Sequence, residues 1–321
     1  MHGTLCARFT VSSLSMLALT ALLALAGCGG ASTPASAATV APGSTTPTAP
    51  FLWRVESREG RVSHLFGTIH GGVTFEEALP APHDALLRTA SAVYVESLVD
   101  DPAQMQVFAQ RLMQPSPTPL STHVGAETFD ALANQMPDFP RERFDALRPW
   151  AAFFVMLSFR LMQALQGHAA DTGGDPATPA VDAVVMQVSR ERQVAPQPLE
   201  QMGELADIIE GVDEAVYLAM LAEFASPVAE DESDQLAGMV AAYRAGDLEG
   251  LASAVDVLNT SEATAAFFTA LIAQRNTLWM PRLTRAFDAG GAFVAVGAAH
   301  MPGTEGLLSR LRAAGYTITR L

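Results

Sequence analysis

The two ends of the chain share short apolar runs and alternating positions that are typical of β-strands. Residues 51–57 and 61–66 alternate between apolar and polar positions around the turn Arg58-Glu59-Gly60, which predicts a β-hairpin. Residues 92–96 and 292–296 are short and mainly apolar, as expected of buried strands.

The long middle of the chain has a helical pattern instead. Between residues 102 and 289, apolar residues recur at spacings of three and four, as in amphipathic helices. Residues 149–166 are strongly apolar, but polar side chains interrupt them, so they predict a buried core helix and not a membrane span. A helix over residues 304–314 and a last strand over residues 316–321 follow.

These patterns predict an α/β fold whose central mixed sheet comes from the N-terminal and C-terminal segments. Residues 51–100 and 290–321 are expected to form the α/β core. Residues 101–289 are expected to be a large helical insertion that interrupts it. One domain then covers residues 51–321.

The first residues are predicted to be an export signal. Arg8 precedes an apolar stretch at residues 11–26, and small residues then lead to Cys28. This ending resembles the lipobox of bacterial lipoproteins, which implies a signal peptide over residues 1–27, cleavage before Cys28 and lipid on its side chain. The alternatives are an uncleaved membrane helix or an ordinary signal peptide with a chance cysteine.

Residues 28–50 are mostly Ala, Ser, Thr and Pro and carry no charge, which predicts a disordered tether. The mature protein is therefore expected in the bacterial cell envelope, facing the periplasm, with the membrane as its partner through the lipid on Cys28. Gly29 stands where lipoproteins retained at the inner membrane of enteric bacteria have Asp, which favours the outer membrane.

Composition excludes several classes of function. All 19 basic residues are Arg, so chemistry that needs a lysine is excluded. The only cysteines are Cys6, in the signal peptide, and Cys28, so the mature domain has no disulfide, thiol nucleophile or cysteine-based metal site. The net charge of −15 argues against nucleic acid as a partner.

Three titratable side chains follow predicted strands. His70 and His300 each end a Gly-x-x-His unit directly after a strand, and Glu96 ends a third strand. Open α/β sheets bind ligands at the carboxyl ends of their strands, so we expect these side chains to share one site. Two imidazoles and a carboxylate suit a divalent metal such as Mn, Co, Fe or Zn. Without a metal, the same groups suit general acid and base catalysis.

Arg275 and Asn276 interrupt an otherwise apolar helical segment. A buried Arg at this position needs a carboxylate partner, which Glu96 or Glu200 would supply. Alternatively, the guanidinium binds a substrate carboxylate through two hydrogen bonds. The third reading is that the Arg275 side chain extends from a core helix to the surface.

An ordered series of motifs over residues 51–321 resembles the TraB/GumN family. The opening of the family is similar to residues 65–70 and 93–96, and its ending to residues 294–300. Further matches in the family's order are Arg148-Pro149-Trp150, Val181-Asp182, Leu199-Glu200, Gly246-Asp247 and Arg275-Asn276. The chain departs from the family at Ala180 and Pro198, where Gly is common.

The resemblance implies an α/β core with a helical region and an exported or membrane-tethered location. Animal members act as metal-dependent proteases and use paired Gly-x-x-His motifs with a Glu. Transferred to this chain, the resemblance marks His70, Glu96 and His300 as catalytic residues that bind a divalent metal. The supporting catalytic groups that it implies are Glu200, Arg275 and Asn276.

Two functions of different classes are compatible with these residues. The preferred one is hydrolysis of a peptide or amide bond in a peptide or small-molecule substrate. The alternative is a non-catalytic lipoprotein whose histidines hold haem or a metal, since distantly similar bacterial lipoproteins bind haem. Metal-stimulated turnover favours the first, and a Soret band after haem addition favours the second.

Overall fold

A six-stranded sheet organises the described part of the protein. The computed structural model describes residues 51–172, 179–226, 231–256 and 261–321. The predicted signal peptide, the predicted lipidation site Cys28 and the predicted tether at residues 28–50 lie outside the described residues. The strands are β1 (Leu52–Glu56), β2 (Val62–Thr68), β3 (Ala92–Val95), β4 (Gln197–Pro198), β5 (Ala292–Gly297) and β6 (Thr317–Arg320).

The sheet is mixed, as predicted, with the strand order β4-β3-β5-β2-β1-β6. Neighbouring strands from β4 to β2 run parallel, whereas β1 pairs antiparallel with both β2 and β6. Phe293 of β5 pairs with His64 of β2 on one side and with Val93 of β3 on the other. The three strands that lead to the predicted site residues therefore lie side by side, which confirms the expected architecture.

Helices make up most of the middle of the chain, as predicted. The segment expected to be a buried core helix lies at the start of α7, and residues 150–157 there are buried. Among the described residues, no helix is both long enough and apolar enough to cross a membrane. The helices are α1 (Phe75–Ala78), α2 (Asp84–Thr89), α3 (Pro102–Leu112), α4 (Leu120–Val124), α5 (Ala126–Gln135), α6 (Arg141–Asp145), α7 (Pro149–Thr172), α8 (Val181–Glu191), α9 (Met202–Glu210), α10 (Glu214–Phe224), α11 (Asp231–Ala245), α12 (Leu248–Asp256), α13 (Glu262–Phe268), α14 (Arg275–Ala289) and α15 (Leu307–Ala313), with a π-helix (Thr269–Gln274) and a 3₁₀ helix (Ala298–His300).

Buried apolar side chains form two cores. The first surrounds the sheet and combines β5 with side chains from α8 and α14, such as Val185 and Trp279. The second lies within the helical middle and includes Phe153 of α7 and Leu205 of α9. Because α8 and α14 belong to the first core, part of the helical middle is packed directly against the sheet.

The middle of the chain also contributes β4, a short edge strand that the sequence pattern did not predict. Tyr94 pairs with Gln197 of β4 in parallel. The pairing continues past the strand ends, where Glu200 N–H donates to Glu96 O at 2.9 Å. A strand of two residues is too short for an alternating pattern. The pairing of β4 with β3 places Glu200 beside Glu96.

Gly67, the first residue of one Gly-x-x-His unit, lies where β2 closely approaches its neighbours. An added Cβ would be 3.0 Å from Phe51 Cβ and 3.1 Å from Ala298 Cβ. The Gly67 carbonyl also accepts a hydrogen bond of 2.6 Å from the Tyr243 hydroxyl. Since protein interiors are close-packed, this junction leaves no room for a side chain.

We expect Gly67→Ala to destabilise the protein by about 1–3 kcal/mol, because the methyl group overpacks the junction of β2 with the 3₁₀ helix. The matched control is Gly203→Ala in α9, where an added Cβ would lie 3.9 Å from Val107 Cγ1, an ordinary contact distance. That helical variant should be neutral or more stable by up to about 1 kcal/mol. Urea unfolding followed by circular dichroism measures both, and equal losses would contradict the packing argument.

Candidate active site

Parallel strands bring the three predicted site residues to one edge of the sheet. Glu96 follows β3, His70 lies two residues after β2, and His300 ends the 3₁₀ helix after β5. Their convergence is visible at Gly297, where an added Cβ would lie 3.1 Å from Glu96 Oε1 and 4.0 Å from His70 Nε2. The same point is 3.7 Å from His300 Cδ2. An added Cβ would therefore crowd Glu96 and contact both imidazoles.

Both carboxylate oxygens of Glu96 accept hydrogen bonds. Gly297 N–H donates to Oε1 at 2.6 Å, and Arg275 Nη2 donates to Oε2 at 2.6 Å. Burial alone would raise the pKa of Glu96, but the charge of Arg275 and the two nearby imidazoles lower it to about 2. Glu96 is therefore ionised at neutral pH although its side chain is buried.

Arg275 is the central cation of the site and is 2 % exposed. Its Nε and Nη2 donate to Glu200, the shortest of these bonds being 2.6 Å, and Nη2 also donates to Glu96. Trp279 stabilises the same group, since its Nε1–H donates to Glu200 at 2.9 Å and its ring lies 4.7 Å from the guanidinium. We call Glu96, Arg275 and Glu200 the buried triad.

These contacts distinguish between the readings of Arg275. The expected burial against a carboxylate is confirmed, with both Glu96 and Glu200 as partners. The reading in which Arg275 reaches the surface is wrong, because two buried carboxylates retain its side chain within the protein. Burial would lower the pKa of Arg275, but the carboxylates raise it above its ordinary value, so the guanidinium stays charged.

Asn276 orients the ring of His300. Its Nδ2 donates to the carbonyl oxygens of His300, at 3.3 Å, and Glu305, at 2.9 Å. This leaves Asn276 Oδ1 to accept from His300 Nδ1–H at 2.7 Å. The other ring nitrogen, Nε2, then has a lone pair, which faces Arg275 Nη1 at 3.4 Å. His300 is held as the neutral Nδ1–H tautomer.

His70 has a different environment. Its Nδ1–H donates to Asp182 Oδ1 at 2.9 Å, and Asp182 lies in the first turn of α8. Its Nε2 is buried and has no hydrogen-bond partner among the described residues. Burial lowers the pKa of His70, but the charges of Asp182 and Glu96 outweigh that effect and raise it.

The two histidines are therefore not equivalent. Burial is the main cause that lowers the pKa of His300 to about 3; Glu96 opposes the shift, and the positive charges of Arg275 and His70 add to it. His300 is neutral across the physiological range, whereas His70 is paired with a carboxylate and has one free nitrogen. Of the two imidazoles, His70 is the one equipped to accept a proton.

A π-helix precedes the two polar residues of α14. The i→i+5 turn covers Thr269–Gln274, and Arg275 and Asn276 follow it directly. Such turns are rare and occur frequently at functional sites. Here the turn is followed by two consecutive buried side chains: Arg275 belongs to the buried triad, and Asn276 bonds to His300.

Hydrogen bonds and ion pairs join five of the six predicted site residues, namely Glu96, Glu200, Arg275, Asn276 and His300. The sixth, His70, bonds to Asp182 and lines the same cavity as Glu96. The catalytic and metal-binding roles of all six stay predictions.

No site role was predicted for Asp182, although Val181-Asp182 is one of the motifs that resemble the TraB/GumN family. Trp279 was not predicted either. It lies four residues after Arg275 on the same helix, a spacing at which side chains are neighbours. Thr68 Oγ1, which is buried without a partner among the described residues, had no sequence signal beyond its place in a Gly-x-x-His unit.

A small cavity opens beside His70. Its volume is about 10 Å³, close to the space that one water molecule needs. Its lining is Thr68, His70, Val95, Glu96, Ser97, Asp182, Met186 and Ala295.

The metal site implied by the resemblance does not fit this arrangement. The Arg275 guanidinium lies against His300 Nε2 and Glu96, on the side where a cation would bind them. His300 Nε2 and Glu96 Oε1 are 3.9 Å apart, wider than the roughly 3.3 Å between two ligands of a tetrahedral zinc ion. In the described ranges, no group of three or more His, Cys, Asp and Glu residues is arranged to hold a metal. Metal ligation stays a prediction.

Comparison with known proteins gives one result. The model of the TraB/PrgY/gumN family matches residues 51–320, which is most of the chain and all of the sheet. No curated protein and no solved structure matches the chain.

Replacement of Arg275 by a neutral side chain should lower the stability of the protein. We expect Arg275→Met to destabilise the protein by about 3–5 kcal/mol, because two buried carboxylates lose their counter-charge. Arg282→Met, on the same helix, is the matched control. Arg282 and Glu204 form a partly exposed ion pair. Arg282→Met should therefore lower the free energy of unfolding by at most about 1 kcal/mol.

A double variant separates the ion pair from side-chain packing. Arg275→Met combined with Glu200→Gln should lose less stability than the sum of the two single losses, since both changes break the same pair. Urea unfolding of the four proteins provides the comparison. Strictly additive losses would show that Arg275 and Glu200 are not coupled.

Proposed function

The chain belongs to the TraB/PrgY/gumN family, and we propose that it is a hydrolase of the cell envelope that cleaves a peptide or amide bond. The observation that carries this proposal is His70 Nε2, which is buried and has no hydrogen-bond partner among the described residues. The other ring nitrogen of His70, Nδ1, is bonded to Asp182. A base with a free nitrogen, oriented by a carboxylate on its other nitrogen, is the arrangement that hydrolases use to deprotonate a nucleophile.

The remaining site residues support this role by their charge and position. Glu96 is ionised and stabilises a positive charge on His70. Arg275 supplies the fixed positive charge that balances Glu96 and Glu200 in a region without bulk water. Asn276 fixes His300, so that the ring accepts from Arg275 and keeps the guanidinium in place.

This proposal differs from the implication of the family resemblance in one respect. In this proposal the positive charge of the site is that of Arg275 and not of a divalent metal, and the support is that the guanidinium contacts two of the three expected ligands. A bound Mn, Co, Fe or Zn ion is therefore the alternative to be tested. Haem binding is the other alternative. Haem and a peptide substrate are both far larger than the cavity of about 10 Å³, so either ligand needs the site to open.

The domain is proposed to act on the periplasmic side of a membrane, held by lipid on Cys28 through the tether at residues 28–50. The support is the lipobox-like sequence before Cys28 and the uncharged composition of the tether. A tethered hydrolase reaches peptides or small amides in the envelope and has no need of nucleic acid, which its net charge of −15 disfavours.

Activity is predicted to depend on His70 and not on a metal. With a mixed library of fluorogenic peptides as the probe, His70→Ala should lower turnover by about 10²–10⁴-fold, the usual contribution of a general base. His64→Ala, in the strand that leads to His70 but outside the site, is the control and should retain activity.

Elemental analysis and a chelator complete that experiment. Wild-type protein should contain no stoichiometric metal, and chelation should leave turnover unchanged. Stoichiometric metal that is lost in His70→Ala and His300→Ala, together with chelator-sensitive turnover, would favour the metal alternative. A Soret band after haem addition to a protein without turnover would favour the binding alternative.

Lipid attachment is predicted to require Cys28 alone. Cys28→Ala should abolish labelling by radioactive palmitate and release the domain from membranes or leave it unprocessed. Cys6→Ala, a change within the signal peptide, should label like the wild type. Palmitate labelling of Cys28→Ala would contradict the lipoprotein assignment.

A further inference from the structure

Two buried polar atoms beside the same cavity lack a partner. Thr68 Oγ1 and His70 Nε2 are both inaccessible to solvent and make no hydrogen bond among the described residues. Both side chains line the cavity next to Glu96. An unpaired buried donor or acceptor costs about 1–3 kcal/mol. Two such atoms on side chains that line one cavity therefore indicate a missing small ligand.

The size and lining of the cavity define that ligand. The volume of about 10 Å³ is at the lower limit of the space that one water molecule needs. A buried water needs two to four polar partners. Thr68, His70 and Glu96 provide these, whereas Val95, Met186 and Ala295 form the apolar part of the lining.

We propose that one water molecule binds between Thr68 Oγ1 and His70 Nε2 and is the nucleophile of hydrolysis, with Thr68 as its positioning residue. This inference rests on the proposed hydrolase function. It adds two residues to the predicted site, because Thr68 holds the water and Asp182 orients the ring that accepts its proton.

The hydrogen-bond directions agree with this assignment. Because His70 Nδ1–H donates to Asp182, the Nε2 lone pair of the neutral ring is available to accept a water O–H. The Thr68 hydroxyl, on the last residue of β2, forms a hydrogen bond with the same water. Thr68 ends β2 and His70 follows two residues later, and both side chains line the cavity.

The chemical step balances without a cofactor. The water oxygen forms a bond to the carbonyl carbon of the scissile amide, and the π-electron pair moves to the carbonyl oxygen. The proton of the water passes to His70 Nε2, and the Asp182 carboxylate balances the imidazolium. Collapse of the tetrahedral intermediate breaks the C–N bond, and the leaving nitrogen takes the proton from Nε2.

Crystal structures of the wild type, Thr68→Val and Thr68→Ser test the water site directly. Wild type and Thr68→Ser should each show one ordered water within hydrogen-bond distance of residue 68 and His70 Nε2. Thr68→Val keeps the shape of the side chain without its hydroxyl, so its cavity should be dry. An empty wild-type cavity, or density for a metal ion in it, would overturn the inference.

Kinetics test the role of that water. With fluorogenic peptides as the probe, Thr68→Val should lower kcat by about 10²-fold with little change in KM, as expected for a misplaced nucleophile, and Thr68→Ser should restore it. A cooperative urea unfolding transition of Thr68→Val shows that the variant is folded, so that its loss of kcat is not a loss of folded protein. Unchanged kcat in Thr68→Val would overturn the nucleophile assignment.

The two proposals fail in different ways. Turnover by a wild-type enzyme whose cavity is empty overturns the water site and supports the hydrolase. An ordered water in a protein that cleaves none of the peptides overturns the hydrolase, and with it the nucleophile role of the water.

Discussion

The buried triad of Glu96, Arg275 and Glu200 is the interaction on which the site depends. Charges removed from water are costly unless each is paired and hydrogen-bonded, and here the guanidinium of Arg275 bonds to both carboxylates. The triad also joins distant parts of the chain, since Glu96 follows β3, Glu200 follows β4 and Arg275 begins α14. Stability alone is a weak explanation for such a group, because buried ion pairs are often replaceable by apolar side chains. Its clearer effect is to fix the positions of neighbouring polar atoms.

The triad makes the two Gly-x-x-His units chemically different. One imidazole, His300, accepts from Arg275 and donates to Asn276, which uses both of its ring nitrogens. The other, His70, has Asp182 on one nitrogen and a cavity of about one water molecule beside the other. A pair of similar motifs in the sequence thus yields one orienting group and one base. The internal cation also explains why the expected three-ligand metal arrangement is absent from the described residues.

Much of this arrangement could be predicted from sequence. Short apolar runs that end in His70, Glu96 and His300 are enough to predict parallel strands with their carboxyl ends together, because open sheets place ligands there. The need of a buried Arg275 for a carboxylate follows from charge alone. The rest depends on pairing between distant segments. The two residues of β4 carry no periodic signal, yet their pairing with β3 brings Glu200 to Glu96. The difference between the histidines, and the role of Asp182, arise only from tertiary contacts.

Nuclear magnetic resonance of the histidine rings tests the central claim most directly, namely that the triad fixes His300 as a neutral group and leaves His70 as the base. With ¹⁵N-labelled histidine, His300 should keep the shifts of the neutral Nδ1–H tautomer from about pH 8 to about pH 5, below the range in which an ordinary imidazole titrates. His70 should gain a proton in that interval, with a pKa above its usual value, because Asp182 and Glu96 favour its charged form. Equal titration of both rings, or metal-dependent shifts of both Nε2 atoms, would contradict the account.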